Sequence, residues 1–401
     1  MTRLVLCFIV CVAAIAAMTG VAAAQATTGT VFGKVIDTSG GVMPGVAVEI
    51  AGGGLIKPVT VTTTASGGYQ IPSVPLGVYR IKFTLTGFKT MVRDGVRVTT
   101  DSNVQIDVKM EIGALDTQVT VTADAPIVDT KSTKTGATFT LEMLQAIPTA
   151  RDPFQVMNLT PGIIMQTSGD QPSGVNVAGS ASGQQMSPSF RGSGSGNTQW
   201  NMDGGTITDM AATGAAPIYF DFDAFQEIQI TTGAADASQQ TGGININLVT
   251  KSGYNVFRGS GHGLFANTDL QSNNVTQAIF NRGGTNGASG NPMKMITDDG
   301  ADFGGPIRRN KAWFWGSYGY QKIALGILGF YDTARAECSP PPTTYGQLSV
   351  IQGCLKADTT LIKNSNAKIN YSLSSKHSLQ FLYQNSNKIR NARGASATSL
   401  P

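Results

Sequence analysis

The stretch Ala224–Phe265 constrains the fold more than any other part of the 401-residue chain. It reads AFQEIQITTGAADASQQTGGININLVTKSGYNVFRGSGHGLF and holds three alternating runs. Glu227–Thr231 and Ile244–Thr250 put Ile228, Ile230, Ile244, Ile246 and Leu248 on one face, with Gln and Asn opposite, the pattern of strands over a core. The third run inverts that logic. Phe257, Gly259, Gly261, Gly263 and Phe265 share one face, and Arg258, Ser260 and His262 the other. Apolar-out and polar-in suits a barrel wall around a wet interior. A small sheet therefore feeds, through Lys251-Ser252-Gly253, directly into barrel strands.

Composition agrees. Charged residues make up only 13% of the chain and glycine is abundant at 48, which fits exported or outer-membrane β proteins and argues against long helices. A formal charge of +4 without any Lys/Arg block excludes a nucleic-acid partner. Residues 1–24 read as an export signal: Arg3, an apolar run Leu4–Met18, then Ala22-Ala23-Ala24 before Gln25. That run is shorter than the roughly 20 residues a spanning helix needs. Cleavage would leave Cys338 and Cys354, which in an exported protein can close one disulfide loop. Free or metal-binding thiols are the alternative, with no neighbouring His or Cys in their favour.

In residues 25–112, short alternating runs recur at Thr30–Ile36, Val46–Ile50, Val59–Thr63, Gly68–Ile71, Gly77–Thr84, Gly95–Val98 and Asn103–Met110. Turn signals such as Pro44-Gly45 and Ser66-Gly67-Gly68 separate them, predicting a small antiparallel sandwich. The texts GKVIDTSGGVMPGVAVEI and TTTASGGYQIPSVPLGVYRIKFTLTGFKT resemble the carboxypeptidase-regulatory-like, transthyretin-type domain. The resemblance implies a non-catalytic spacer or docking module. Such domains resemble carbohydrate-binding folds, but no cluster of aromatics here supports sugar binding. A Thr-rich linker spans 113–134. Within it Asp116, Thr117, Gln118, Val119, Thr120, Val121 and Thr122 resemble a TonB box, the extended motif to which an inner-membrane energy-transducing protein adds a strand.

Two short helices are predicted next. Thr140 would cap Leu141–Ala146, and Asp152 would cap a helix with Pro153 at its first position. AIPTARDPFQVMNLTPGI resembles the start of the plug domain of TonB-dependent outer-membrane receptors, which would occupy 135–253. The resemblance implies that Arg191 faces the lumen and holds the plug by ion pairs, the plain alternative being a surface arginine. Asn201, Asp203 and Gly204 form a chain-reversing turn beside it, read for Asp203 as an ordinary turn. Asp221 and Asp223 read as structural rather than calcium-binding, and Asp298-Asp299 as a strand rim.

From residue 254 to 401, strands are predicted at Asn255–Phe265, Ile296–Ile307, Ala312–Gln321, Leu361–Leu373 and His377–Asn387. Arg309-Asn310-Lys311 and Ser374-Ser375-Lys376 are tight turns, whereas 266–295 and 322–360 are long polar connections; short turns on one side and long loops on the other mark a transmembrane barrel. Ala367, Ile369, Tyr371 and Leu373 would face lipid with Lys368 and Asn370 inward, and Trp313 and Trp315 would sit in an interfacial girdle. DFGGPIRRNKAWFWGSYGY resembles the early barrel of the Oar-like receptors. About five strands cannot close a barrel that in plugged transporters has 22, so a fragment or truncated product is expected.

The expected fold is mainly β with minor α: a transthyretin-like sandwich, an α+β plug and the first strands of an incomplete barrel. No HExxH, GxSxG, P-loop or Cys/His cluster is present, so no enzyme, cofactor or metal is expected. The resemblance implies a TonB-dependent receptor in the cell outer membrane. Its partners would be a TonB-type energy-transducing protein, outer-membrane lipid and an extracellular peptide, protein, glycan or siderophore. The competing expectation is a non-transporting surface-binding or adhesion protein.

Overall fold

The structure is a computed structural model that describes residues 28–55, 57–113, 118–122, 134–149, 151–167, 186–191, 195–209, 214, 216–233, 242–282, 292–373 and 377–391. The export signal, Asp116 and Thr117 lie outside the described residues.

The N-terminal sandwich is built from β1 (Thr28–Asp37), β2 (Ala47–Gly52), β3 (Val59–Thr62), β4 (Gly68–Pro75), β5 (Gly77–Thr84), β6 (Thr90–Val98), β7 (Asn103–Gln105) and β8 (Val108–Met110). One sheet holds β4, β1, β7 and β8, and the other runs β3-β2-β5-β6. Alternating Val35, Val46, Val48, Ile50, Ile81 and Phe83 are fully buried between them. Three expectations need correction. The sandwich is not wholly antiparallel, because β7 and β8 both run parallel to β1. The run 103–110 is also split: the Ile106 N–H donates to the Phe32 carbonyl, and the Asp107 carboxylate accepts the Lys34 N–H at 2.8 Å. Gly95, read as a strand start, is instead a left-handed irregularity within β6 (φ +78°) where pairing with β5 slips. A further strand, β9 (Gln118–Thr122), adds to this sheet parallel to β6.

The central unit contains β10 (Thr135–Thr140), helices α1 (Leu141–Ala146) and α2 (Pro153–Met157), β11 (Ile163–Thr167), β12 (Met186–Phe190), β13 (Gln199–Met202), β14 (Gly205–Thr206), β15 (Phe225–Gly233) and β16 (Asn245–Thr250). Its main sheet is ordered β10-β15-β16-β13-β14, with β11 and β12 as a separate hairpin. Asp152 caps α2 by accepting the Phe154 N–H at 2.8 Å. Thr140 makes no capping bond; its hydroxyl donates to the Glu142 carboxylate instead. The core closes around Trp200, fully buried with the Phe154 and Phe220 rings about it at 6.2 and 6.1 Å.

The remaining strands, β17 (Arg258–Asn267), β18 (Met293–Arg308), β19 (Ala312–Tyr331), β20 (Leu355–Ser372) and β21 (Ser378–Asn391), form an open antiparallel wall in chain order. The inward face carries Trp315, Lys368, Asn366 and Asn364; the outward face exposes Phe303, Ile369, Phe381 and Tyr383. The strands overrun their expected ends. Residues 322–331 continue β19 and 355–360 belong to β20, because inward Ile323, Leu325 and Thr360 are buried and extend the pairing. Trp313 and Trp315 are not an interfacial girdle. They point inward, their indole N–H groups donating to Asn255 at 2.9 Å and Asp302 at 3.3 Å. The outward aromatics include a cluster of Phe257, Phe303 and Phe314, with ring centroids 5.8 to 6.5 Å apart.

At the far end of the wall, α3 (Gln277–Asn281) and α4 (Leu348–Cys354) pack Phe280 against Leu348 and Ile351. Cys338 and Cys354 are joined there, S–S 1.99 Å.

Trp200→Ala should remove the centre of the middle core and cost roughly 3–5 kcal/mol, the range for large buried aromatics. Denaturant unfolding followed by tryptophan-independent circular dichroism checks this; a loss under about 1 kcal/mol would show that the ring is not the keystone claimed.

Candidate functional site

The chemistry of this chain is concentrated where the central unit meets the inner face of the wall. Asp203 and Gly204 make the two-residue turn between β13 and β14, both left-handed at φ +48° and +82°, as a type I′ hairpin requires. The turn delivers the Asp203 carboxylate to the end of β16, where it accepts the Thr250 N–H at 2.9 Å and the Thr250 hydroxyl at 2.7 Å. Lys368, on β20, enters from the wall. Its ammonium lies 3.0 Å from Asp203 Oδ2 and donates to Thr250 Oγ1 at 3.0 Å and the Thr250 carbonyl at 3.2 Å. Both charged side chains are only 3% exposed. A charge so enclosed is tolerable only when paired and hydrogen-bonded.

A second cluster lies on β17 and β18. Arg151, left-handed at φ +56° one residue before the α2 cap, pairs with Asp223 and donates Nε–H to Asp298 Oδ2 at 2.8 Å. His262 reaches the same two carboxylates, Nδ1 to Asp223 and Nε2 to Asp298 at 3.4 Å. The Arg151 guanidinium also sits over the Phe222 ring, 5.6 Å from its centroid. A third contact joins Lys251 to Asp302 at 2.9 Å, and Asp302 further accepts from Ser260 and Trp315. Asp298 is thus a mid-strand partner rather than a rim residue. Among the described residues no group of His, Cys, Asp and Glu is arranged to hold a metal ion.

The polar face of the central sheet is spent in the same seam. Asn245 and Asn247 were expected opposite the core, on an open face, yet both are buried. Asn247 accepts the Gly204 N–H at 3.2 Å and Asn245 accepts from Asn201 at 3.2 Å. Every residue of β16 is buried, and at its end Thr250 meets Lys368 of the wall.

A family model for the carboxypeptidase regulatory-like domain matches residues 30–111. The TonB-dependent transporter Oar of Myxococcus xanthus is 30% identical over 300 residues, which cover 74% of this chain. The chain belongs to the TonB-dependent receptors. It spans 27% of the length of that relative. Among solved structures, the siderophore receptor PirA of Acinetobacter baumannii matches 64% of this chain and 32% of its own at a TM-score of 0.42 and 15% identity. The ferric enterobactin receptor of Pseudomonas aeruginosa matches 66% and 34% at 0.41 and 16%.

In the terms of that family, the central unit is the plug and the seam is its contact with the barrel wall. Among the described residues Arg191 makes no ion pair across it. The side chain is exposed, left-handed at φ +47°, and lies over the Phe190 ring at 4.9 Å. Arg151 takes the role expected of Arg191, and Asp203 is an anchor rather than an ordinary turn residue. Alternation assigns Lys368 the inward face, but not its partner, which lies 165 positions away in sequence (368 − 203). Gln118–Thr122 lie on the sandwich, away from the seam.

A separate joint ties sandwich to plug. The Thr100 N–H donates to Glu227 Oε1 at 3.2 Å, Gln229 donates to the Thr100 carbonyl at 3.1 Å, and Arg97 pairs with Glu142 at 2.6 Å. Lys134 pairs with Asp101 beside them. Glu227 is 3% exposed, and burial pushes its carboxyl up to about 7.

Two outcomes are expected. Lys368→Met should leave Asp203 buried and unpaired and destabilise the chain by roughly 3–5 kcal/mol, while Lys368→Met with Asp203→Asn recovers part of the loss. A thermal-unfolding double-mutant cycle measures this; strict additivity would refute the pairing. Because the Glu227 value is raised above the ordinary 4.5, its protonated form favours the docked joint: stability is full below that value and falls as pH rises through about 7. Each unit between is worth at most about 1.4 kcal/mol. Glu227→Gln should flatten the fall in unfolding midpoint between pH 5 and 8, and an unchanged slope in that variant would count against it.

Proposed function

We propose that the chain supplies the sandwich (25–112), linker (113–134), plug (135–253) and first barrel strands (254–401) of an energy-coupled outer-membrane receptor. The observation that carries this reading is the nature of the plug–wall seam. It is held by ion pairs and hydrogen bonds, Asp203–Lys368–Thr250 and Arg151–Asp223–Asp298–His262, rather than by a continuous apolar core. An apolar seam would need its area exposed to water to open. A polar one exchanges its partners for water at little net cost once water enters, since intramolecular hydrogen bonds replace bonds of nearly equal worth. Such a seam holds the plug firmly at rest and lets it shift under load.

In this reading an extracellular ligand binds the plug apex and the loop knob around Cys338–Cys354. An inner-membrane protein of the TonB type pulls on Asp116–Thr122. The load passes to the plug, the Asp203 and Arg151 contacts rehydrate, and a path opens along the wall. The ligand in this reading is a siderophore, peptide, protein or glycan.

The test is capture of the chain, in outer-membrane vesicles, by the purified periplasmic domain of the TonB-type protein. Val119→Pro removes a strand N–H from the segment and should lower capture at least tenfold. Equal capture by the variant would sink the role given to Asp116–Thr122.

A further inference from the structure

The coupling segment is not a free tether. Gln118–Thr122 form β9, in parallel register with β6 from Thr90↔Gln118 to Asp94↔Thr122. β9 is terminal in the sheet order β3-β2-β5-β6-β9, so β6 occupies one of its edges and no described strand occupies the other. Sheets ordinarily protect such edges with lysine, proline or a bulge. The sequence Gln-Val-Thr-Val-Thr has none of these and alternates β-branched residues, the composition that best accepts another strand. The opposite edge, β3, is also Val-Thr-Val-Thr, but Lys57-Pro58 stand immediately before it. The two ends of one sheet are therefore treated differently.

The sandwich that carries β9 is itself tied to the plug. Thr100 meets Glu227 and Gln229, and Arg97 meets Glu142 on α1, so β6 and the loop that follows it bridge the two bodies. Force applied to β9 reaches the plug by two routes: along the chain through 123–134, and across the sheet through β6 and its loop.

We propose that the energy-transducing partner adds its strand to the outer edge of β9 while β9 stays paired with β6, so that the sandwich acts as a handle through which load enters the plug. This rests on the coupling role given above to Asp116–Thr122 and specifies the state in which that segment is recognised. The occupant is one extended strand of the TonB-type protein, completing a sixth strand on the sheet. Sequestration, in which the sandwich hides the segment until it is peeled away, is the opposing arrangement.

Val92 and Thr120 are register partners across β6 and β9. The full chain bearing Val92→Cys and Thr120→Cys is oxidised in outer-membrane vesicles and offered to the purified periplasmic domain, beside the same sample reduced and a wild-type chain taken through the same cycle. The expected result is capture by the oxidised, cross-linked chain within about twofold of wild type. A tenfold or greater loss on cross-linking, restored by reduction, would overturn the proposal in favour of sequestration. Failure of the wild-type chain to be captured would reject the coupling role itself, and the proposal with it.

Discussion

A lysine sealed between two bodies sets the terms for this molecule. Lys368 belongs to the wall, its counter-charge Asp203 to the plug, and neither could be enclosed without the other. The seam must therefore form as a unit. The I′ turn at Asp203-Gly204 aims the carboxylate, the end of β16 supplies Thr250 as a shared partner, and the inward parity of β20 aims the ammonium. Arg151 repeats the arrangement at a second point, with a carboxylate from each body. Two such anchors fix orientation as well as position, which a single contact could not.

Much of this was legible in the chain. A strand's two-residue period assigns faces with no knowledge of partners, so the inward Lys368, the outward Ile369 and Phe381, and the polar-in pattern around His262 followed from alternation alone. Local chemistry likewise located the Asp152 cap and the reversal at Asp203-Gly204. The remainder depended on what lies on the far side of a face. Asn245 and Asn247 have the composition of a wetted surface, yet they are buried and bonded to Asn201 and Gly204, partners that no local pattern names. Trp313 and Trp315 matched an interfacial girdle in composition, but their parity put them with Lys368, where indole N–H groups find Asn255 and Asp302. Arg191 and Arg151 are alike as isolated arginines; what separates them is that the Arg151 side chain meets Asp223 and, on β18, Asp298, carboxylates distant in sequence. The ends of β19 and β20 are not marked by local pattern: Ile323, Ala324 and Leu325 form a continuous apolar run without alternation, and only pairing with β20 shows them to be strand.

The sandwich presents a different balance. Its core is an ordinary two-sheet packing of valine and isoleucine, and among the described residues it meets the plug through the Thr100 backbone, Gln229 and the Arg97–Glu142 pair. Glu227 lies in the middle of that attachment with a carboxyl that prefers its proton near neutrality. The wall seam places opposite charges together, whereas this joint encloses an acid without a base. The two junctions therefore respond to different variables, the one to water entry and the other to acidity.

The length of the wall strands carries a consequence of its own. β19 has 20 residues, so at about 3.3 Å per residue it extends roughly 66 Å. Tilted by about 45°, it still rises some 45 Å, whereas the apolar band of such walls is about 25 Å tall. Close to 20 Å of wall thus stands clear of the bilayer, with the Cys338–Cys354 knob at its rim. Ile323, Thr360 and the Asp358–Arg390 pair lie along the inner face of that extension, so the wall keeps a lined inner surface beyond the apolar band.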